Sequence, residues 1–272
     1  MVDLRDPAAE VDARTPLSIQ SVDRASALLR LLRRDSRGQS LTCLATELGV
    51  HKSTVYRLLT SLELAGLVCR DRLTGRFQLG LEVISMAGVV LGQLDVTRIA
   101  DSHVRELADA TRQSVTLGVT YRHRILCVAR IPGPTQATAP LWVGSQGPLH
   151  QGATGKSVLA FLDDGVIDTY LGKLAADSAL SVPPALRDEL REIRQQGHVV
   201  SRGAVGTAFA TVSVGAPVFG HHDVVRGSLV VCAYERTLVE AQLGQLIQLT
   251  MCAASAISRQ LGYDRWPVAQ LP

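Results

Sequence analysis

Lys52, Ser53, Thr54, Tyr56 and Arg57 lie together in VHKSTVYRLLTSLELAG, residues 50–66. Ser53, Tyr56, Arg57 and Thr60 recur at i, i+3, i+4 and i+7, the spacing that stacks side chains on one helix face. Val55, Leu58, Leu59 and Leu62 repeat that spacing two residues later. Two residues turn a helix by about 200°, so the two stripes point in opposite directions. One stripe holds the helix to a core. The other offers hydrogen-bond donors, a phenol and positive charge, with Lys52 beside it, as a helix in the DNA major groove requires. Arg70, Arg72 and Arg76 follow around a turn at residues 71–75 and are placed to touch phosphates or the minor groove. An ordinary hairpin closing a small core is the plainer reading of that stretch.

Three further stretches have the composition of chemical sites. GATGKS, residues 152–157, looks like part of a phosphate-binding loop, but that motif needs four residues between its glycines. Only Ala153 and Thr154 separate Gly152 from Gly155, and His150 stands where the first glycine belongs. Nucleotide hydrolysis is therefore not expected. Lys156 beside Ser157 could suggest a nucleophile pair, yet no third group or oxyanion loop accompanies it. His221, His222 and Asp223 are adjacent in a turn, where side chains diverge rather than converge on one ion. No metal, no cofactor and no catalytic residue is expected. A small-molecule enzyme with a fused DNA-binding head is the alternative. The cysteines, five in number, are widely spaced without a C-x-x-C pair. That argues against a disulfide framework or a zinc site and fits a reducing cytoplasm.

The elements that must carry these residues can be read in order. Ser21 is placed to cap a helix to about Asp35, with Val22, Ala25, Leu29 and Leu32 inward. Ser40 caps a short second helix striped by Leu41, Leu44, Ala45 and Leu48, and Gly49 ends it. The two-faced helix begins three residues later, which makes a helix-turn-helix. Val68 and Cys69 begin a strand that pairs with Phe77–Leu79, making a wing. Glu82–Leu94 is a linking helix, apolar over much of its surface. Met86 lies at its centre, and Val83, Met86, Val90 and Leu94 face one way with Val89 beside them. A helix then runs from Thr97 to Arg112, with Ile99, Val104, Leu107 and Ala108 inward. Strands are expected at Ser114–Tyr121, Arg124–Ile131, Thr138–Val143, Thr211–Phe219 and Val224–Tyr234. His150–Lys156 reads as a loop continued by a helix from Ser157 to Leu162. Further helices are expected at Asp164–Leu174, Ala185–Gln196 (opened by Pro183-Pro184) and Leu238–Leu261. Antiparallel hairpins with helices between them give an α+β domain.

Length and charge agree with two domains. The chain has 272 residues, 46% of them apolar, and a mean hydropathy of +0.16, the composition of a globular protein. Residues 17–80 hold 10 Lys and Arg against 5 Asp and Glu, whereas residues 81–272 balance at 16 against 16. A basic head on a neutral body suits a polyanion partner for the head, although charge alone does not separate this from a solvated basic surface. The longest near-continuous apolar run, 83–91, is too short to cross a bilayer, and the acidic start has no h-region, so neither a membrane span nor a leader is expected. The expected division is a disordered tail 1–16, a winged helix-turn-helix 17–80, a linker helix 81–96, an effector domain 97–262 and a tail 263–272.

SVDRASALLRLL, LTCLATELGVHKSTVYRLLTSLELAGLV, GRFQLG, PLHQGATGKSVLAF and GAPVF, in this order, resemble the IclR-type bacterial transcription regulators. The resemblance covers about residues 18–262. It implies an N-terminal winged helix-turn-helix, a linking helix and a C-terminal GAF-like α+β effector domain with an antiparallel sheet. It also implies double-stranded operator DNA as partner, a homodimer or homotetramer, and a small-molecule effector. Within it the GATGKS loop lines the effector pocket, where N–H groups at a helix start suit an anionic or polar ligand group. The chain departs from the family pattern near Ala204 and Gly206, where an acidic residue is usual. Ser213 takes the place of a cysteine or serine, while Val230 and Cys232 stand where serines are common. Val230, Cys232, Phe209 and Leu141 would then form an apolar wall, with Gly152, Ala153, Thr154 and Ser213 for the ligand's polar group. That pocket predicts a larger apolar or aromatic effector rather than a small keto acid. A filled pocket in a domain kept only for dimerisation is the alternative.

Overall fold

The computed structural model describes residues 18–134, 142–176, 185–203, 210–238 and 240–263. They form two compact units that divide between Gln93 and Leu94.

The first unit packs α1 (Gln20–Leu32), α2 (Leu41–Leu48) and α3 (Lys52–Leu64) against a hairpin of β1 (Val68–Arg70) and β2 (Phe77–Leu79). Its core is Leu28, Leu31, Leu32, Leu44, Ala45, Val55, Leu59, Leu62, Val68 and Phe77. Ser40 Oγ accepts from Cys43 N at 3.2 Å and caps α2. Gly49, at φ 65°, ends α2 in the left-handed region that favours glycine. The chain thereby turns into α3 within three residues. α1 differs from expectation. It starts after Ile19 rather than at a Ser21 cap and stops at Leu32. Val22 is exposed, and Leu28 and Leu31 join Leu32 in the core. The cause is that α1 packs on both α2 and α3, so its buried stripe is wider and lies nearer its C-terminal end. The unit closes with α4 (Glu82–Gln93), which has no buried residue.

The second unit contains α5 (Asp95–Thr111), β3 (Ser114–Tyr121), β4 (Arg124–Ile131), β5 (Gln146–Pro148), α6 (Gly152–Leu159), α7 (Asp164–Ala176), α8 (Leu186–Gln196), β6 (Val199–Gly203), β7 (Thr211–Phe219), β8 (Val225–Tyr234) and α9 (Glu240–Gln260). The strands form one sheet in the order β5-β4-β3-β8-β7-β6, every neighbouring pair antiparallel. Successive side chains of a strand alternate between faces. Val115, Leu117, Leu229, Val231, Val212 and Val214 therefore share one face, and α5 and α9 pack on this sheet. Thr116, Gly118, Ser228, Val230, Ser213 and Gly215 share the other face, where α6 lies across the sheet.

Several expectations need correction. The proposed loop at residues 150–156 is mostly helix. α6 begins at Gly152, ends at Leu159 and does not reach Leu162. Gly155 is there for contact, since a Cβ on it would lie 2.5 Å from Pro148 O, whereas Gly152 takes a left-handed φ of 64° with open space around it. The strand expected at 138–143 falls largely outside the described residues, and Trp142 and Val143 are not in a strand. Pro183-Pro184 also falls outside them. β5 and β6 were not expected. Leu94 does not extend the exposed seam of the linking helix, because α4 ends at Gln93 and Leu94 is buried. Tyr263, assigned to the tail, is buried and stacks on Phe219 at 4.6 Å between ring centroids. The tails, 1–17 and 264–272, lie outside the described residues.

Candidate DNA interface and ligand site

α3 presents two faces. Val55 and Leu59 are fully buried, whereas Lys52, Ser53, Tyr56 and Arg57 are exposed, Tyr56 at 50%. Thr54 is half-buried at the boundary. Thr60 Oγ1 donates to Tyr56 O at 2.9 Å and Ser61 Oγ to Arg57 O at 3.1 Å, so these hydroxyls are taken up by the helix itself. No side-chain hydrogen bond or ion pair to a described residue involves Lys52, Ser53, Tyr56 or Arg57. They are left to meet a partner.

The three wing arginines divide by role. Asp71 Oδ1 accepts from Leu73 N at 3.0 Å, Thr74 N at 2.6 Å and Thr74 Oγ1 at 2.7 Å. These bonds hold the Asp71 carboxyl below its usual range and fix the turn. Arg70 Nε donates to Gly75 O at 3.2 Å, and its guanidinium lies 5.4 Å from the Phe77 ring centroid. Arg76 donates to Gly38 O at 3.0 Å and ties the wing to the α1–α2 turn, beside the Gln39–Phe77 bridge. Arg72 is exposed beside Leu73, itself 97% exposed at the wing tip, and makes no such bond to a described residue.

In the second unit, Leu141 and Phe209 lie outside the described residues. The other six candidate ligand contacts are near one another. Gly152, Ala153 and Thr154 are the first turn of α6. Ser213 pairs with Cys232, and Val230 pairs with Gly215, against which Ala153 packs. A Cβ on Gly215 would sit 2.9 Å from Ala153 O, and one on Gly118 would sit 2.9 Å from Thr154 Cγ2. Helix and sheet therefore touch at these two points, and Val230 and Ala153 belong to the packed core. Ser114, Thr116, Ser213 and Cys232 stand at one end of this face. Arg130 stands on the same face, paired with Thr116 across β3 and β4. Reading the sequence missed Arg130; its signal was an arginine inside the otherwise apolar strand ILCVAR.

The phosphate-loop and nucleophile readings of GATGKS have a structural answer. Lys156 Nζ pairs with Glu189 at 2.7 and 2.8 Å and locks α6 to α8. Ser157 Oγ is fully buried and donates to Thr154 O at 3.3 Å. The two side chains do not form a pair. His150 is 4% exposed, and its Nδ1 lies 2.9 Å from Tyr170 Oη, which also accepts from Leu149 N at 3.0 Å. Burial, then the charges of Lys156 and Arg124, push the His150 pKa down and favour the neutral ring. His221 packs its ring against Gly262, and His221 and His222 are exposed. Among the described residues no group of three His, Cys, Asp or Glu could hold a metal ion. No single described helix is long and apolar enough to cross a membrane.

An exposed polar helix face beside a basic wing, on a unit separate from an α+β sheet domain, defines a winged-helix DNA-binding regulator. Comparison with known proteins agrees. The family model for the IclR helix-turn-helix domain matches residues 21–72, and that for the bacterial transcriptional regulator IclR C-terminal region matches residues 88–259. The chain belongs to the IclR family of bacterial transcriptional regulators, DNA-binding proteins with a C-terminal effector domain. It is 30% identical over 254 residues to the glycerol operon regulatory protein of Streptomyces coelicolor, covering 92% of this chain and 99% of that one. It is 27% identical to the HTH-type transcriptional regulator XynR of Escherichia coli, covering 90% of this chain and 98% of the other. Among solved structures, an IclR homolog from Microbacterium hydrocarbonoxydans complexed with 4-hydroxybenzoate shares the fold. Its TM-score is 0.73 at 20% identity, covering 89% of this chain and 99% of that chain.

Proposed function

We propose that the chain is a cytoplasmic, non-catalytic regulator that binds operator DNA as a homodimer, or a pair of dimers, and releases or repositions it when a small molecule binds the C-terminal unit. The observation that carries the DNA part is the row of exposed, unpartnered Lys52, Ser53, Tyr56 and Arg57 on α3, opposite a fully buried Val55 and Leu59. These side chains, with Thr54 at the edge, enter the major groove. Arg72 meets phosphate or the minor groove from the wing tip. Arg70 and Arg76 shape the wing and add positive charge along its base. One recognition helix reads only a few base pairs, so a useful site needs two half-sites related by a two-fold axis.

α4 supports the two-fold assembly. Ile84 at 68%, Met86 at 52%, Val89 at 61% and Val90 at 51% exposure make an apolar surface that a second copy would cover. The effector sits on the α6 face of the sheet, toward Ser213 and Cys232, and is apolar or aromatic over most of its body. Selection from a random duplex pool, followed by footprinting of the enriched sequence, tests this reading. The expected result is a paired site with its halves about one helical turn or a multiple apart. Absence of any enriched sequence would overturn it.

A further inference from the structure

Leu73 is 97% exposed at the outermost turn of the wing, on the unit that holds the positive excess. A single exposed leucine is ordinary on a protein surface. What sets Leu73 apart is how it is held. Asp71 Oδ1 accepts from Leu73 N at 3.0 Å and from both Thr74 N and Thr74 Oγ1. Asp71 N donates to Arg76 O at 2.8 Å and Gly75 N to Asp71 O at 2.9 Å, which closes both legs of the turn. Gly75 takes the left-handed φ of 68° that the turn requires. Phe77 is buried and its ring carries the Arg70 guanidinium at 5.4 Å, so it offers the leucine no cover. Arg72, beside Leu73, is exposed and makes no side-chain hydrogen bond or ion pair with a described residue. The wing tip is therefore a fixed apolar point next to a free cation, with the Asp71 carboxylate turned inward to the N–H groups of the turn.

We infer that Leu73 is an apolar wedge that enters the minor groove beside the half-site met by α3, opens a base step there and bends the duplex. The inference rests on the proposed docking of this head on operator DNA. Arg70, Arg72 and Arg76 surround the leucine with positive charge, which suits phosphate walls and would repel the wing of a second copy. Arg72 takes a phosphate on the groove wall while the leucine methyls reach the floor. An apolar side chain in this position partly unstacks a step and kinks the duplex by about 20–90° toward the major groove. Pyrimidine–purine steps such as TA deform at least cost. A·T pairs present only acceptors on the minor-groove floor, whereas G·C adds the guanine amino donor. Against a leucine that donor would be buried without a partner. The wing thus prefers a TA step at a position where it makes no base hydrogen bond.

The test uses the full chain as wild type, Leu73→Ala, Leu73→Met and Arg72→Ala, with the duplex enriched from the random pool and labelled at both ends. Each step flanking the α3 half-site is changed in turn to TA or GC. Anisotropy at several salt concentrations gives affinity, and energy transfer between the ends gives bending. Wild type is expected to bend the duplex and to prefer TA over GC at one flanking step by at least about fivefold. Leu73→Ala, which removes no internal contact, should lose that preference and most of the bend with the salt slope unchanged. Leu73→Met should keep both. Arg72→Ala should lower the slope by about 1 and keep the TA preference. Equal bending and equal step preference in wild type and Leu73→Ala would overturn the wedge and leave DNA binding by the head standing. A duplex left straight by wild type would do the same. A change in the mass of free Leu73→Ala would assign the leucine to a contact between copies and also overturn it. If wild type binds enriched and random duplex equally, the docking on which the wedge rests fails with it.

Discussion

Arg57 and Arg72 are both exposed arginines of the head, and they should fail differently. Arg57 sits on the exposed polar face of α3 that is proposed to meet base edges. Arg57→Ala should relax sequence preference and cost about 1–3 kcal/mol if its contact is bidentate. Arg72 sits at the wing tip, so Arg72→Ala should weaken all duplexes alike and lower the salt slope by about 1. Titrations of selected and random duplex at several salt concentrations separate the two. The face of α3 was legible in the sequence because helical periodicity is a local property. The division of labour among the wing arginines was not. It depends on Arg76 reaching Gly38, 38 residues away in sequence, and on Arg70 folding back over Phe77. Arg130 was missed for a similar reason. Nothing in ILCVAR reveals that the Arg130 Nε is shielded and without a hydrogen-bond partner.

His150 gives a second prediction at this scale. Its pKa in the folded protein is lowered below the ordinary 6.5, first by burial and then by Lys156 and Arg124. The unfolded chain therefore binds more protons than the folded one between those two values. The stability present above pH 6.5 should fall as pH drops from 6.5 through the folded pKa, and then level off for this group. His150→Gln removes the titration. Melting temperatures measured between about pH 5 and 8 should decline less on the acid side in His150→Gln than in wild type. Parallel declines would show that other groups set the acid limit.

Elements with a strong period were readable to the residue. β3, β4 and β7 have the predicted limits because valine-rich hairpin strands advertise themselves. β5, of sequence QGP, and β6, of sequence VVSRG, have little intrinsic strand signal. They exist because β4 and β7 offer them an edge to pair with. α6 was misread because Gly152 and Gly155 lower helix propensity, while the fold needs Gly152 for its left-handed φ and Gly155 for close approach to Pro148. The same logic applies to the sheet under it. A side chain at Gly118 would place its Cβ 2.8 Å from Ile125 Cγ2 and 2.9 Å from Thr154 Cγ2. Gly118→Val should cost about 1–3 kcal/mol by forcing α6 away. Urea unfolding checks this, and a change below about 0.5 kcal/mol would mean that the helix can shift freely. α4 makes the complementary case, an apolar helix whose Met86 is left exposed by the described residues. Met86→Glu should shift the sedimentation of the free protein to that of a monomer without lowering the stability of either unit. An unchanged dimer would place the seam elsewhere.

At the scale of the molecule, charge and sequence organisation agree. Positive excess is confined to residues 17–80, and residues 81–272 are balanced. The excess lies on the unit that carries α3 and the wing. If long-range attraction brings any duplex to the head and α3 chooses among them, as proposed, affinity and specificity should separate under salt. The most direct measurement is the affinity of the full chain for its selected duplex and for random duplex of equal length, at physiological salt, in wild type and Arg57→Ala. The selected duplex should bind wild type at least about 1,000-fold more tightly than random duplex, and Arg57→Ala should lose most of that ratio. Equal affinity of wild type for both duplexes would contradict reading of the major groove by α3.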